Sequence, residues 1–262
     1  MRETGKTYLP VIENETAKGR IVLVCEHASN AFAAPWGTLG LDEAAQRAHI
    51  AWDPGALGLA RGLSRRLDAV LVHAPVSRLI YDCNRPPDSP GAMPARSEVF
   101  DVPGNMAIQP QDRAARTAAV YLPFHDGLHA VLLERVALGL RPVVITIHSF
   151  TPVWFGTPRA VEFGVIHDAD PTLAKAILHE AQTAGGLACA LNAPYSAADG
   201  VTHTLRLHAT PYGLPNAMLE IRNDLIATPA AEALMADRLF PILAAAVAAI
   251  DAPALAEPVP TA

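Results

Sequence analysis

The chain has 262 residues, 51% of them hydrophobic and 18% charged, a size and balance that suit one large domain with a well-buried core. A net charge of -6 supplies no basic field for phosphates, which excludes nucleic acid as the expected partner and leaves small molecules. Three cysteines, Cys25, Cys83 and Cys189, show no Cys-x-x-Cys spacing, which excludes a disulfide framework and a thiolate metal site.

Met1 to Arg20 is polar and mixed in charge, without the apolar core of a signal peptide, so a cytoplasmic location is expected. Arg20 to Cys25 is a nearly continuous apolar run rich in β-branched residues, the pattern of a strand buried on both faces of a parallel sheet. It stops at the polar run Glu26-His27-Ala-Ser-Asn30. Asp42 to His49 and Gly55 to Leu67 read as helices, the second with Leu57, Ala60, Leu63 and Leu67 as its apolar residues. Val70 to Ala74 is a second strand and Leu79 to Cys83 a third. From Pro86 to Pro110, prolines 86, 87, 90, 94, 103 and 110 exclude regular structure over most of the segment, and a loop of that length is functional or mobile. Arg113 to Leu138 reads as a long amphipathic helix bent at Pro123. Pro142 to Ile147 is a buried strand that delivers His148-Ser149 at its end. Val161 to Ile166 is a further strand, Pro171 to Gly185 a helix, and Ala217 to Ile221 a strand running into Arg222-Asn223.

Leu239 to Ile250 is apolar but falls short of the roughly 20 residues that a membrane span requires, so it reads as a buried helix and no membrane partner is expected. The domain is expected to occupy residues 1–251, with the Pro- and Ala-rich tail 252–262 disordered. There is no internal repeat and no glycine-rich phosphate loop.

Ligands of open α/β sheets bind in the crevice outside the carboxyl ends of the strands. Four polar clusters stand at predicted strand ends: Glu26-His27, Tyr81-Asp-Cys-Asn-Arg85, His148-Ser149 and Glu220-Ile-Arg222. Parallel, neighbouring strands would bring them together. The resulting inventory of imidazoles, carboxylates and guanidiniums is that of a catalytic zinc site, which keeps three protein ligands and an open position. Such a metal lowers the pKa of a water, a nearby carboxylate acts as general base, and arginines hold a substrate carboxylate. These residue types predict hydrolysis of an amide on a small anionic molecule.

The motifs Cys25-Glu-His-Ala-Ser-Asn30, Trp52-Asp53-Pro-Gly, Ser77-Arg78-Leu-Ile-Tyr-Asp82-Cys-Asn84-Arg85-Pro-Pro-Asp88, Tyr121-Leu-Pro-Phe-His125, Ile147-His148-Ser149-Phe and Leu219-Glu220-Ile-Arg222-Asn223 follow one another from about Ile21 to Ile226. In order and spacing they resemble the N-formylglutamate amidohydrolases, a family similar to zinc carboxypeptidases and to succinylglutamate and aspartate deacylases. The resemblance implies an α/β three-layer sandwich with a mostly parallel mixed sheet, of the phosphorylase/hydrolase-like type. It implies a single divalent metal, Zn2+, held by His27 and His148, with Glu220 as general base and Asn84-Arg85 binding the substrate carboxylate and polarising the scissile carbonyl. It implies an N-formyl or other short N-acyl acidic amino acid as substrate.

For the third metal ligand the carboxypeptidase pattern His-x-x-Glu ends here in Asn30. The resemblance puts Asp53, which matches an acidic residue of the amidohydrolase pattern, in that place ahead of Glu26, whose side chain would leave the strand on the face opposite His27. Arg78 is divided between substrate binding and an ion pair with aspartate, Ser149 is a hydrogen-bonding hydroxyl near the metal rather than a nucleophile, and Arg222 and His203 are placed at the pocket. His125 and His129, one helical turn apart, lack a His-Glu-x-x-His context and are assigned to helix packing. The alternatives are a deacylase of another acidic amide and a non-catalytic dicarboxylate-binding protein.

Overall fold

The β-branched runs form the strands they predict, and they do so side by side. In a computed structural model that describes residues 6–251, seven strands make one sheet: β1 Val11–Glu13, β2 Ile21–Cys25, β3 Val70–His73, β4 Val143–Phe150, β5 Phe163–Ile166, β6 Cys189–Leu191 and β7 Asn216–Arg222. Their order is β1-β3-β2-β4-β7-β5-β6; β3, β2, β4 and β7 are mutually parallel, and β1, β5 and β6 run against them. The tail 252–262 lies outside the described residues.

Alternation along the central strands sends apolar side chains to both faces, as expected of a sheet with helices on each side. Leu23, Leu71, Ile145 and Leu219 pack with Leu59 and Leu63 of helix α1 (Ala56–Leu67), Ile177 of helix α3 (Thr172–Ala184) and Leu239 of helix α4 (Pro229–Ala249). Val22, Val72, Val144 and Met218 point the other way, against Phe124, Leu128 and Val131 of helix α2 (Leu122–Ala137). The result is the three-layer α/β arrangement with a mostly parallel mixed sheet. Each fully buried leucine or valine contributes roughly 1.5–3 kcal/mol of transfer free energy. Among the described residues no helix is long and apolar enough to cross a membrane.

The bend at Pro123 has a defined form. A helix over Pro110–Arg116 passes through a π-helical turn at Thr117–Tyr121 into α2. Proline has no N–H to return to the carbonyl four residues earlier, and the Tyr8 amide takes that Ala119 carbonyl instead, at 2.8 Å.

Two expectations are corrected, and two edge strands are added. Leu79 to Cys83 is a buried turn rather than a strand, with the Ile80 amide donating to Ser77 O at 2.9 Å and the Asp82 amide to Ala92 O at 2.8 Å. A short apolar run carries the same signal whether it is a strand or a loop packed beneath helices; Leu79, Ile80, Tyr81 and Cys83 are all buried in the latter way. The helix expected over Asp42 to His49 contracts to Glu43–Arg47, capped by Asp42. The edge strands β1 and β6, three residues each, give too little sequence pattern to predict.

Candidate active site

β2, β4 and β7 are adjacent and parallel, so their carboxyl ends open on one crevice. In register, Glu220 of β7 pairs with His148 of β4. Paired residues on neighbouring strands project to the same face, which sets the candidate base beside the candidate ligand by backbone pairing alone. His27 lies two residues past the end of β2. The loop carrying Asp53 is tied to it, the Asp53 amide donating to His27 O at 2.9 Å. The Arg78 segment is tied in turn to the Asp53 loop, with Ser77 Oγ donating to Ala51 O at 2.8 Å and the Arg78 amide at 3.2 Å to the same carbonyl.

Within this frame His27, Asp53 and His148 converge, all buried, with one potential ligand atom from each within 4.8 Å of the others. His27 Nδ1 and His148 Nδ1 lie 3.2 Å apart, and Asp53 Oδ2 is 3.2 Å from the first and 2.9 Å from the second. Donors around a tetrahedral zinc, each about 2.0–2.1 Å away, stand roughly 3.3 Å from one another. The chemistry and spacing of the set therefore fit such an ion.

The far ring nitrogens are held by carboxylates. Asp82 Oδ1 is 2.7 Å from His27 Nε2, and Glu26 Oε2 is 3.1 Å from His148 Nε2. The Asp82 carboxylate behind His27 fixes its ring and tautomer and turns Nδ1 toward the shared centre, whereas Glu26 stands behind His148 as a charge at ion-pair distance without hydrogen-bond geometry. Glu26 was expected on the face opposite His27, but His27 has left the strand by then and both side chains reach His148, His27 at Nδ1 and Glu26 at Nε2. Burial would by itself raise the Asp53 carboxyl, but His27, His148 and Arg78 hold it well below the usual carboxylate range. Asp82→Asn or Glu26→Gln is expected to weaken zinc binding about 10–100-fold without unfolding the protein, measured by competition with a chromophoric chelator. Affinity equal to that of the unaltered protein would count against the orienting role.

Glu220 is buried beside this cluster, and its Oε2 atom has no hydrogen-bond partner. Burial pushes its carboxyl up to about 7, opposed in part by His148. A carboxylate poised near neutrality is matched to taking and returning a proton.

The cluster opens into a cavity of about 260 Å3 whose walls include Arg78, Asn84, Arg85, Ser149, Tyr195 and Glu220. Arg78 Nη1 donates to Asp53 Oδ1 at 3.1 Å and lies 3.2 Å from His27 Nδ1, so it is committed to the cluster while facing the cavity. Asn84 is buried, its amide nitrogen on Val201 O and its amide oxygen on the Thr204 N–H. Arg85 Nη1 donates to Asn84 O and Gly200 O at 2.8 and 2.9 Å, which leaves the rest of the guanidinium toward the cavity. Ser149 lines the wall, but its hydroxyl donates to Pro54 O at 2.8 Å and steadies the Asp53 loop.

Two expected contacts are not made. Arg222 turns outward to Asp224 and Glu162, at 2.8 and 3.2 Å, and does not line the cavity. His203 bonds the Tyr121 hydroxyl at 2.9 Å, behind the wall rather than in it. His125, expected in helix packing, is buried there with Nδ1 2.8 Å from His208 Nε2.

The sequence reading missed His49, Trp154, Tyr195 and Asp199, all of which line the cavity. His49 stands four residues before Asp53, and its Nε2 donates to Ser149 O at 2.8 Å; that spacing was the one available signal. Tyr195 arrives on a loop that passes over Gly164, the antiparallel partner of Glu220. A Cβ at Gly164 would lie 2.0 Å from Ala193 O, so the missing side chain is what admits the loop.

Fold and cavity together make a three-layer α/β protein whose candidate reacting groups gather at the carboxyl ends of parallel strands. The model of the N-formylglutamate amidohydrolase family matches residues 19–227, and the chain belongs to that family. The chain is similar to the gene product Atu2144 of Agrobacterium tumefaciens, with 50% identity, a TM-score of 0.91, and coverage of 96% of this chain and 99% of that one. It is also similar in fold to an N-formylglutamate amidohydrolase from Ralstonia eutropha JMP134, at 16% identity and a TM-score of 0.63, covering 94% of this chain and 96% of that one. No curated protein matches the chain significantly.

Proposed function

We propose that the protein is a zinc-dependent amidohydrolase that removes a short N-acyl group from an acidic amino acid, N-formylglutamate being the simplest such substrate. The observation that carries this reading is the pairing of a His27–Asp53–His148 donor set with a buried carboxyl, Glu220, that titrates near 7. A divalent metal bound to that set would polarise the scissile carbonyl and lower the pKa of a water at the same place.

The remaining chemistry belongs to the chain. Glu220 takes a proton from the attacking water as its oxygen bonds to the acyl carbon. It then delivers that proton to the amide nitrogen as the C–N bond breaks, so a carboxylic acid and a free amine leave and the glutamate is regenerated. Arg78 presents positive charge to the developing oxyanion. Arg85, fixed by two carbonyls, offers its free N–H groups to the substrate carboxylate.

Formate release from N-formylglutamate, followed before and after chelation and after zinc is restored, tests the proposal. Turnover lost with the metal and regained with it is the expected result. Chelator-insensitive turnover would overturn the metal, and no turnover of any N-acyl acidic amino acid would overturn the substrate class.

A further inference from the structure

The 260 Å3 cavity is not the whole of the site. Trp154, Tyr195 and Asp199 are shared with a second, more open compartment of about 580 Å3, which Phe155, Thr157, Arg159 and Pro194 complete. One wall is the hairpin formed by Val153–Trp154 and Thr157–Pro158, and the other is the loop that passes over Gly164.

Three of the residues that line this compartment, Trp154, Phe155 and Tyr195, are aromatic. The Arg159 guanidinium carbon lies 4.7 Å from the Trp154 ring centre, 5.0 Å from Tyr195 and 5.4 Å from Phe150. Its Nη2 donates to the Tyr195 hydroxyl at 3.0 Å and its Nη1 to Thr151 O at 3.3 Å. Arg159 thus serves as a spacer that holds the rings in place.

The hairpin turn supplies an independent observation. Its two central residues, Phe155 and Gly156, both have positive φ, at 45° and 82°. A turn of that kind calls for Asn or Asp followed by Gly, and a bulky side chain in the first position is strained. Phe155 nevertheless occupies it, 67% exposed and packed edge-on against Trp154 with ring centres 4.8 Å apart. Neither turn chemistry nor core packing accounts for a phenylalanine there. A flat ligand beside Trp154 does.

We propose that the outer compartment is a substrate subsite for an uncharged aromatic group on the acyl half, making aroyl derivatives of acidic amino acids the preferred class. Resting on the amidohydrolase reading above, this keeps the substrate carboxylate on Arg85 in the inner cavity and leaves the acyl half to extend outward. Asp199 also lines the outer compartment, and the faces of Arg159 are covered by rings.

The experiment compares N-benzoylglutamate with N-formylglutamate, by calorimetric binding to the metal-free protein and by turnover of the zinc-loaded protein, in the natural chain and in Phe155→Asn. Asparagine suits the turn, so the variant is expected to fold with an unchanged or higher Tm. The natural chain should bind the benzoyl compound roughly tenfold more tightly, and Phe155→Asn should cut that ratio at least threefold. A ratio near one in the natural chain, or one that the substitution leaves alone, would overturn the subsite. A ratio that behaves as expected without turnover of either compound would uphold the subsite and sink the amidohydrolase reading instead.

Discussion

Asp53→Ala is expected to abolish stoichiometric zinc binding and to lower kcat/KM by about three orders of magnitude or more. Asp53 is the single anion among the three converging groups, and its Oδ2 lies within 3.2 Å of both imidazole Nδ1 atoms. Without it, two buried imidazoles face each other at 3.2 Å beside the Arg78 guanidinium, with no negative charge between them to attract a cation. Asp53 also accepts the Ser149 amide at 3.4 Å, so its loss loosens the loop that carries it. Metal analysis of the purified variant by mass spectrometry, alongside its activity, is the measurement. One equivalent of zinc retained would show that the donor set is not the one described.

Glu220→Gln should lower kcat by about 10²–10⁴-fold while leaving metal content intact, because the amide keeps the shape of the side chain but cannot take a proton. The same substitution has a signed effect on stability. Burial raises the folded-state ionisation of Glu220 to about 7, above its unfolded value, so the folded protein binds this proton more tightly than the unfolded chain does. The stability it contributes is present at acid pH and is lost as pH rises through 7. In the metal-free protein, glutamine should therefore raise stability at pH 8 by about 1–3 kcal/mol, the gain shrinking toward pH 5. Urea unfolding at the two pH values, each with chelator present, measures it. An equal effect at both would remove the basis for a base poised near neutrality.

What could be read in advance follows from how locally each feature is encoded. β2, β4 and β7 are continuous apolar runs rich in β-branched residues, and polar residues end them, so the gathering of His27, His148 and Glu220 was legible from position, while their proposed roles came from the family resemblance. Asp53 was harder, since its place depends on a backbone bond to His27 across a loop; its motif, more than its pattern, pointed to it. The Leu79 to Cys83 turn misled because burial, not pairing, made it apolar. Arg222 misled for a related reason: it continues the β7 alternation of Glu220, but Asp224 and Glu162 draw its guanidinium away. Tyr195 and Asp199 sit on a loop with no periodicity, and only the crossing at Gly164, a tertiary event, brings them to the cavity.

The in-register pairing of Glu220 with His148 has a further consequence. The spacing between the proposed base and the proposed ligand is a lattice constant of the sheet, about 4.8 Å between strands, and every backbone bond of β4 and β7 defends it. The hairpin around Phe155 and the loop through Tyr195 belong to no such lattice. Residues can be exchanged or inserted there at little cost to stability, so this architecture separates the instrument that cuts from the gauge that selects what is cut.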